Sequence, residues 1–326
     1  MVAIQVNNLK KYYQIYKKEP GLTGSFKSFF NRKYEDIKAV DGISFNIEEG
    51  ELIGFIGPNG AGKTTTLKCL TGLLYPTSGE VSVLGYEPFK RNYKFLRQIS
   101  LVMGQKNQLW WDLPPMESFL LNKEIYGIPD GEFKKGLNDL VSLLDASEFL
   151  EVPVKKLSLG QRMKCELISS LIHKPKMLFL DEPTIGLDVV MQKNLRDFIK
   201  QYNKTNNATV ILTSHYMIDV ETLCKRVIII NHGKVLFDGK LANLVRRYAD
   251  EKLISVILKK EIDVEKIGKI AEVKKYKYPE LVLSVPSEKI SVVTSKLLDI
   301  LKIDDLNIEE QDVEGVIRKI FMGANK

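Results

Sequence analysis

The sequence predicts an α/β protein with a largely parallel sheet, followed by a small second domain. Short apolar runs of strand length, such as KMLFLD (176–181) and ATVILTS (208–214), alternate with segments of helical periodicity. The composition changes near Arg247, and the remaining residues give the order strand, helix, strand, strand, helix, strand and a last helix. This order fits a small ferredoxin-like domain. We therefore expect two domains, residues 1–247 and 248–326.

The composition is that of an ordinary soluble globular protein. The chain has 326 residues, of which 44% are hydrophobic and 27% charged, and its net charge is +7. No apolar run approaches the roughly 18 residues that span a bilayer, and the first residues lack the apolar stretch of a signal peptide. Three cysteines without a C-x-x-C pair argue against disulfides and against a zinc site. We expect a cytosolic protein whose basic surface meets nucleic acid, an anionic membrane surface or an acidic partner.

The first domain opens with two strand segments, residues 1–16 and 39–56, on either side of a basic insert, residues 17–38. The insert mixes aromatic and basic residues in FKSFFNRKY. It is either a solvated hairpin loop or a short amphipathic helix near a membrane or a membrane subunit. Residues 106–156 show helical spacing.

The stretch GPNGAGKTT (57–65) matches the phosphate-binding pattern G-x-x-x-x-G-K-[ST]. It follows an apolar strand and opens a helix, so its backbone N–H groups and the positive helix end can face an anion. We expect Lys63 to reach the β- and γ-phosphates and Thr64 to ligate Mg²⁺. The loop consists of Gly57, Pro58, Asn59, Gly60, Ala61, Gly62, Lys63, Thr64 and Thr65.

Two adjacent carboxylates end the apolar run in LFLDEPT (178–184). We expect Asp181 to hold Mg²⁺ and Glu182 to polarise the attacking water. His215 follows the strand ATVILTS and could hydrogen-bond the γ-phosphate, since sites in open α/β sheets gather at the carboxyl ends of strands. Gln105 follows the run ISLVMG and is uninformative by itself.

A second motif, LSLGQ (157–161), places a serine and a glycine as if to hold a phosphate, although the chain already has a complete phosphate loop. Taken in order, these motifs resemble the ATPase subunits of ATP-binding cassette (ABC) transporters over about residues 1–240. The matching positions are Tyr13 (adenine stacking), Gly57–Thr65 (Walker A), Gln105 (Q-loop), Ser158–Gln161 (signature), Asp181 and Glu182 (Walker B), Asp188 (D-loop) and His215 (switch histidine).

The resemblance implies a RecA-like core sheet with an antiparallel β subdomain and a helical subdomain at about residues 106–160. It implies ATP and Mg²⁺ as cofactors. The implied metal ligands are Thr64, Gln105 and Asp181, and the implied catalytic residues are Glu182, His215, Gln105 and Lys63.

The resemblance also explains the second motif. In this family two subunits dimerise head to tail, and each ATP on one Walker A loop is capped by the signature of the partner. Ser158, Gly160 and Gln161 would therefore serve the partner's ATP. The sequence departs from the family's usual LSGGQ at Leu159, which puts the tight backbone geometry there in doubt.

The family further implies a membrane-spanning permease as partner and a location on the cytoplasmic face of the membrane. The second ATPase subunit is expected to be a copy of this chain, with a heterodimer left open. The insert, LSLGQRMKCEL, DEPTIGLDVV and the C-terminal extension resemble exporter ATPases of the daunorubicin-resistance and sodium-extrusion kind. Polysaccharide export is an alternative cargo class.

A soluble ABC ATPase acting on nucleic acid or ribosomes is the alternative from another class. Such proteins usually carry two cassettes or long coiled coils, so we expect no nucleic acid partner. A P-loop enzyme outside the family would leave the signature motif unexplained.

Two segments outside the motifs also carry expectations. QLWWDLPPMESF (108–119) is either a core segment or part of a groove that receives a short helix of the membrane subunit, with Trp110 and Trp111 as apolar anchors. The C-terminal domain is expected to lie away from the nucleotide and to strengthen or regulate the dimer.

Overall fold

The computed structural model describes residues 1–16, 34–104, 106–248, 251–310 and 313–323. The chain divides into two compact units, Met1–Asp238 and Gly239–Lys326. Among the helices of the described ranges, none is both long enough and apolar enough to cross a membrane.

The first unit contains a three-stranded antiparallel sheet of order β2-β1-β4 and a six-stranded sheet of order β5-β6-β7-β3-β8-β9. In the larger sheet the pairs β5–β6, β6–β7, β7–β3 and β3–β8 are all parallel. This confirms the predicted α/β class and the antiparallel subdomain. The strands are β1 (Val2–Tyr16), β2 (Tyr34–Glu48), β3 (Leu52–Ile56), β4 (Ser78–Val83), β5 (Ile99–Met103), β6 (Met177–Asp181), β7 (Thr209–Thr213), β8 (Arg226–Asn231) and β9 (Lys234–Lys240).

The α-helices of this unit connect the strands. Short 3₁₀ turns lie at Pro88–Lys90, Ser147–Phe149 and Val154–Lys156. The helices are α1 (Lys63–Leu70), α2 (Tyr93–Leu96), α3 (Pro115–Tyr126), α4 (Asp130–Leu144), α5 (Leu159–Leu171), α6 (Val189–Asn206) and α7 (Met217–Leu223).

The structure corrects the predicted boundaries of the insert. Tyr34 pairs with Tyr16, and Lys38 pairs with Tyr12, so residues 34–38 continue the hairpin as part of β2. The interpretation of these five positions as loop or helix is wrong, because they pair with residues 12–16 of β1. The single predicted strand at 39–56 is likewise two strands, β2 and β3. Residues 17–33 lie outside the described residues.

The helical prediction for residues 106–156 is correct only in part. Helix α3 begins at Pro115, which fits the first turn because proline lacks an N–H that would need a partner there. Residues 106–114 are not helical; they form turns, bends and irregular backbone. Their backbone N–H groups are satisfied partly by side chains, as described below.

The second unit folds around its own core. Its sheet has the order β11-β12-β10-β13, and all three pairs are antiparallel, which is the arrangement of a ferredoxin-like domain. One face of the sheet packs with buried residues of α9 and α10. The elements are α8 (Leu241–Tyr248), β10 (Glu251–Leu258), α9 (Val264–Gly268), β11 (Glu272–Lys277), β12 (Glu280–Pro286), α10 (Ile290–Ile300), β13 (Ile303–Glu310) and α11 (Val313–Gly323).

Phe179, in the middle of β6, is fully buried in the core that the two sheets of the first unit form with α1. We expect Phe179→Ala to lower the free energy of unfolding by about 3–5 kcal/mol, because the cavity cannot close inside a packed sheet. Urea denaturation measures the change. Tyr93→Ala is the control, since its side chain is 58% exposed and its loss should cost less than about 1 kcal/mol. Equal losses in the two variants would contradict the assignment of this core.

Candidate functional site

The phosphate-binding loop joins β3 to α1 and is held in shape by backbone contacts. Gly62 has φ +105°, and a Cβ there would lie 2.3 Å from the Ala39 carbonyl oxygen, so only glycine fits. The turn after β8 supports the loop, because the Gly233 N–H donates to the Ala61 carbonyl oxygen at 3.0 Å. Contacts from β2 and from the turn after β8 therefore fix the shape of the loop.

Lys63 is buried at the start of α1. Its Nζ donates to the carbonyl oxygens of Gly57 at 2.6 Å and Pro58 at 3.2 Å. Burial lowers the pKa of the Lys63 ammonium, although Glu182 and Asp181 act in the opposite direction. A phosphate anion in the loop would supply the negative charge that this buried cation favours.

The other loop residues lie around this lysine. Asn59 and Gly60 are exposed, and Thr65 is half-buried in the first turn of α1. Thr64, in the same turn, reaches across to the end of the neighbouring strand β6.

Asp181, the last residue of β6, connects the phosphate loop to the central sheet. Its Oδ2 accepts from the Thr64 hydroxyl at 2.7 Å, and its Oδ1 accepts from the Thr213 hydroxyl at 2.7 Å. Thr213 ends β7 directly opposite Asp181 in the parallel register. The structure thus brings together the two predicted metal ligands Thr64 and Asp181, and adds a threonine that sequence reasoning missed.

Glu182 follows Asp181 in a left-handed conformation, with φ +55°. This is uncommon outside glycine and is held here by Thr213, whose carbonyl and hydroxyl oxygens accept from the Glu182 N–H at 3.1 and 3.0 Å. The Glu182 Oε1 lies 2.6 Å from the Nε2 of His215. The predicted catalytic carboxylate and the predicted switch histidine are therefore in direct contact.

Gly104 closes the site from the side of β5. Its N–H donates to the Asp181 carbonyl oxygen at 2.9 Å. A Cβ at Gly104 would lie 2.1 Å from the Glu182 carbonyl oxygen, so the close approach requires glycine. Gln105, the next residue and a predicted catalytic and metal-binding position, lies outside the described residues.

A fully buried carboxylate, Asp219 on α7, organises the loops around His215. Its Oδ2 accepts from the hydroxyls of Thr184 and Ser214, both at 2.6 Å. Its Oδ1 forms an ion pair with the buried Arg196 of α6 at 2.8 Å. The loops that carry Glu182 and His215 therefore share one anchor, which the sequence did not single out.

The signature residues form the start of α5. Ser158 is the N-cap, and its Oγ accepts from the Gln161 N–H at 3.2 Å while the Gln161 Oε1 accepts from the Ser158 N–H at 2.9 Å. Ser158 is exposed. Because its Oγ acts as an acceptor in this capping box, the hydroxyl hydrogen is left to donate outward.

Leu159, the departure from the usual signature, is accommodated as the first residue of α5. Its Cδ2 lies 2.7 Å from where a Cβ on Gly186 would be, and Gly186 is left-handed at φ +72°. The neighbouring Gly160 lies against the Met191 side chain of α6, whose Cε would be 3.1 Å from a Cβ on this glycine. Asp188 is the exposed N-cap of α6, and its Oδ1 accepts from the Met191 N–H at 2.9 Å. The signature and the predicted D-loop are therefore packed against each other.

The ring of Tyr13 is more accessible than that of its neighbour Tyr12. It is 38% exposed, and the Lys11 ammonium lies 5.2 Å from its ring centre. Tyr12 is held instead, since its hydroxyl donates to the Asp41 carboxylate and its N–H to the Thr77 hydroxyl. The geometry suits Tyr13 to the predicted stacking role.

The interpretation of Trp110 and Trp111 as core residues is wrong. Their side chains are 52% and 47% exposed, whereas the preceding Leu109 is buried. The segment turns its leucine inward and leaves both indoles accessible. Other large apolar side chains exposed in this part of the chain are Leu113, Leu120, Leu121 and Ile125.

The residues missed from the sequence are the buried supports Thr213, Asp219 and Gly104. One feature of the sequence could have indicated Thr213: it is the last residue of the next predicted strand after the one that ends at Asp181. Asp219 and Gly104 had none, because their partners are distant in sequence.

A family model described as ABC transporter matches residues 40–185, and one described as EvrA-like ABC transporter, C-terminal domain, matches residues 250–309. Among curated proteins, the ABC transporter ATP-binding protein NatA of Bacillus subtilis is 33% identical over 231 residues, which cover 71% of this chain and 94% of NatA. The chain belongs to the ABC transporter family. It is an ATP-binding subunit and an ATPase, as the motifs predicted.

Two further curated relatives are similar to this chain over most of their own length. The linearmycin resistance ATP-binding protein LnrL of Bacillus subtilis is 32% identical over 284 residues, covering 84% of this chain and 91% of LnrL. The bacitracin transport ATP-binding protein BcrA of Bacillus licheniformis is 32% identical over 241 residues, covering 72% of this chain and 78% of BcrA.

Solved structures show the same fold for this ABC ATPase. An ATP-binding subunit of an ABC transporter aligns with a TM-score of 0.62 and 22% identity over 76% of this chain and 93% of its own. A dimeric ATP-binding cassette in a post-hydrolysis state, bound to ADP and Pi, aligns with a TM-score of 0.61 and 24% identity over 73% of this chain and 98% of its own.

Thr213→Val tests the support of the two adjacent carboxylates in this ABC ATPase. The valine keeps the shape but loses the hydroxyl bonds to Asp181 and Glu182, so kcat should fall about tenfold while the Kd for ATP changes little. The same change at Thr209, whose hydroxyl accepts from the Gly50 N–H at the other end of β7, is the matched control. A kcat equal to that of Thr209→Val would show that Thr213 does not position the site.

Proposed function

We propose that this ABC ATPase hydrolyses ATP with Mg²⁺ and powers export through a separate membrane-spanning subunit. The observation that carries the proposal is the convergence of the phosphate loop, the Asp181 carboxylate and the Glu182–His215 pair at one edge of the parallel sheet. Ligands of open α/β sheets bind at this carboxyl edge.

The oxygens at this edge fit a magnesium ion. The Thr64 hydroxyl and the Asp181 carboxylate are 2.7 Å apart, and hard oxygen donors of this kind are those that Mg²⁺ prefers. Bound Mg²⁺ would neutralise the charge that develops on the phosphates. Gln105 is proposed as the third ligand on the family's pattern alone.

The proposed catalytic roles follow from the contacts of each side chain. Lys63, already placed inside the loop, would bind the β- and γ-phosphates. Glu182 would accept a proton from the attacking water, and His215, in contact with its carboxylate, would hydrogen-bond the γ-phosphate. Tyr13 would stack on adenine.

The proposed second subunit is another copy of this chain. Ser158, Gly160 and Gln161 lie at the positive end of α5, where an exposed hydroxyl and backbone N–H groups can meet an anion. This end would cap the ATP that lies on the partner's Walker A loop, and the adjacent Asp188 would take part in the same contact. Hydrolysis would then require closure of the dimer.

Glu182→Gln should bind ATP and accumulate as an ATP-bound dimer, because the water loses its proton acceptor while the Lys63 and Thr64 contacts remain. Size-exclusion chromatography with Mg·ATP and a phosphate-release assay measure the two effects. The matched control is Glu182→Gln combined with Ser158→Ala, which should bind ATP but dimerise less. Near-normal turnover in Glu182→Gln would remove Glu182 from its role, and equal dimerisation of the control would remove Ser158 from the interface.

Export is supported by the relatives described as linearmycin resistance and bacitracin transport proteins. We propose that the chain binds the cytoplasmic face of the membrane through its permease, with Trp110 and Trp111 as apolar anchors. Two half-exposed indoles next to each other are the kind of side chain that dominates protein interfaces. The C-terminal unit, with its own core and its own family model, is proposed to be an accessory or regulatory domain.

The double variant Trp110→Ala/Trp111→Ala should bind ATP normally but be lost from the membrane fraction. Truncation of one buried interface aromatic typically costs ~2 kcal/mol or more, which weakens binding at least about thirtyfold. Sedimentation with membranes and ATP binding by the soluble chain are the two measurements. Tyr93→Ala, an exposed aromatic elsewhere, is the control and should stay with the membranes. A double variant that still sediments would move the docking surface elsewhere.

A further inference from the structure

Residues 106–114, which we call the tryptophan segment, connect β5 to α3, and side chains bind three consecutive N–H groups of its backbone. The N–H groups of Gln108 and Leu109 both donate to the Glu166 Oε1, at 2.8 and 3.3 Å. The next N–H, that of Trp110, donates to the Ser118 hydroxyl at 3.4 Å. After Trp110 the backbone is bound by other backbone groups, since the Lys155 N–H donates to the Trp111 carbonyl oxygen at 2.9 Å. The backbone up to Trp110 therefore depends on side chains, and above all on Glu166, which binds two of its N–H groups.

Glu166 is an unusual residue for this task. It is 3% exposed, and burial raises the pKa of its carboxyl group, while the two N–H bonds act in the opposite direction. Its Oε2 has no hydrogen-bond partner among the described residues. A buried carboxylate with one unpaired oxygen contributes little to the stability of a fold. We therefore look for its role in the backbone position that it fixes.

That position joins two parts of the ATPase. Glu166 lies on α5, about two turns after the signature residue Ser158, or roughly 12 Å along the helix axis. Helix α5 packs against α3, α4 and β5. On the other side, the Gln108 side-chain amide donates to the Leu101 carbonyl oxygen of β5 at 2.7 Å. Gln108 is thus bound through its backbone to the signature helix and through its side chain to the core sheet.

We infer that Glu166 is a positioning residue that couples the signature to the tryptophan segment. When the start of α5 meets the partner's nucleotide, any displacement of α5 is carried to Trp110 and Trp111 through the Glu166 bonds to Gln108 and Leu109. The inference rests on the proposed dimer and on the proposed docking role of the tryptophans. It adds a specific contact through which nucleotide binding reaches that surface, beside the backbone bond from Lys155 to Trp111.

The chain offers a direct reporter, because Trp110 and Trp111 are its only tryptophans. Intrinsic fluorescence and its quenching by iodide are measured before and after Mg·ATP in the full-length Glu182→Gln protein, which holds the dimer. Two substitutions are compared in that background. Glu166→Gln keeps an acceptor oxygen for the two N–H groups, whereas Glu166→Leu has similar size and no acceptor.

The parent protein and Glu166→Gln should both show an ATP-dependent change in tryptophan quenching. Glu166→Leu should bind ATP and dimerise with unchanged affinity, yet lose most of that change. A role in stability alone would lower the melting temperature of Glu166→Leu without separating dimerisation from the fluorescence response. Rescue by glutamine identifies the acceptor oxygen, and not the negative charge, as the functional group.

The inference is overturned if the dimer forms but the parent shows no tryptophan response, or if Glu166→Leu responds as the parent does. Failure of the parent to dimerise would refute the proposed dimer instead, which chromatography detects separately. If Glu166→Leu is not recovered folded, Glu166→Met removes the same acceptor oxygen with an unbranched side chain that adapts to the buried space. A full response in Glu166→Met would also overturn the inference.

Discussion

The Asp181 carboxylate is the contact on which the rest of the nucleotide site depends. Its two oxygens are bound by hydroxyls from different elements, Thr64 at the start of α1 and Thr213 at the end of β7. One buried side chain therefore fixes the phosphate loop relative to the central sheet. Because both bonds are made to a charged group, each is stronger than a bond between neutral partners.

The strained conformation of Glu182 follows from this arrangement. A left-handed glutamate costs of order 1–3 kcal/mol, which is offset here by the two bonds that its N–H makes to Thr213. The conformation brings the side chain against His215. Asp219 binds the loop of His215 through Ser214 and the loop of Glu182 through Thr184, so the same buried carboxylate holds both catalytic candidates in place.

The surface proposed to meet the partner is likewise built as one piece. Leu159 and Gly160 pack on Gly186 and Met191, so the signature and the D-loop cannot shift separately without losing contact. A glycine at position 159 would leave the space over Gly186 empty. The leucine thus adds packing between the two motifs that are proposed to act together, and Glu166 extends the connection from α5 to the tryptophan segment.

The sequence by itself determined the motifs whose chemistry is local. Gly57–Thr65, Asp181 with Glu182, and Ser158–Gln161 each carry their function in consecutive residues, and the order of strands and helices along the second unit could also be predicted from the sequence. Only the tertiary structure decided the supports Thr213 and Asp219, the continuation of β2 to Tyr34 and the exposure of the indoles. A local motif sets the conformation of its own backbone, whereas the partner of a buried polar group is set by packing between segments that are far apart in the sequence.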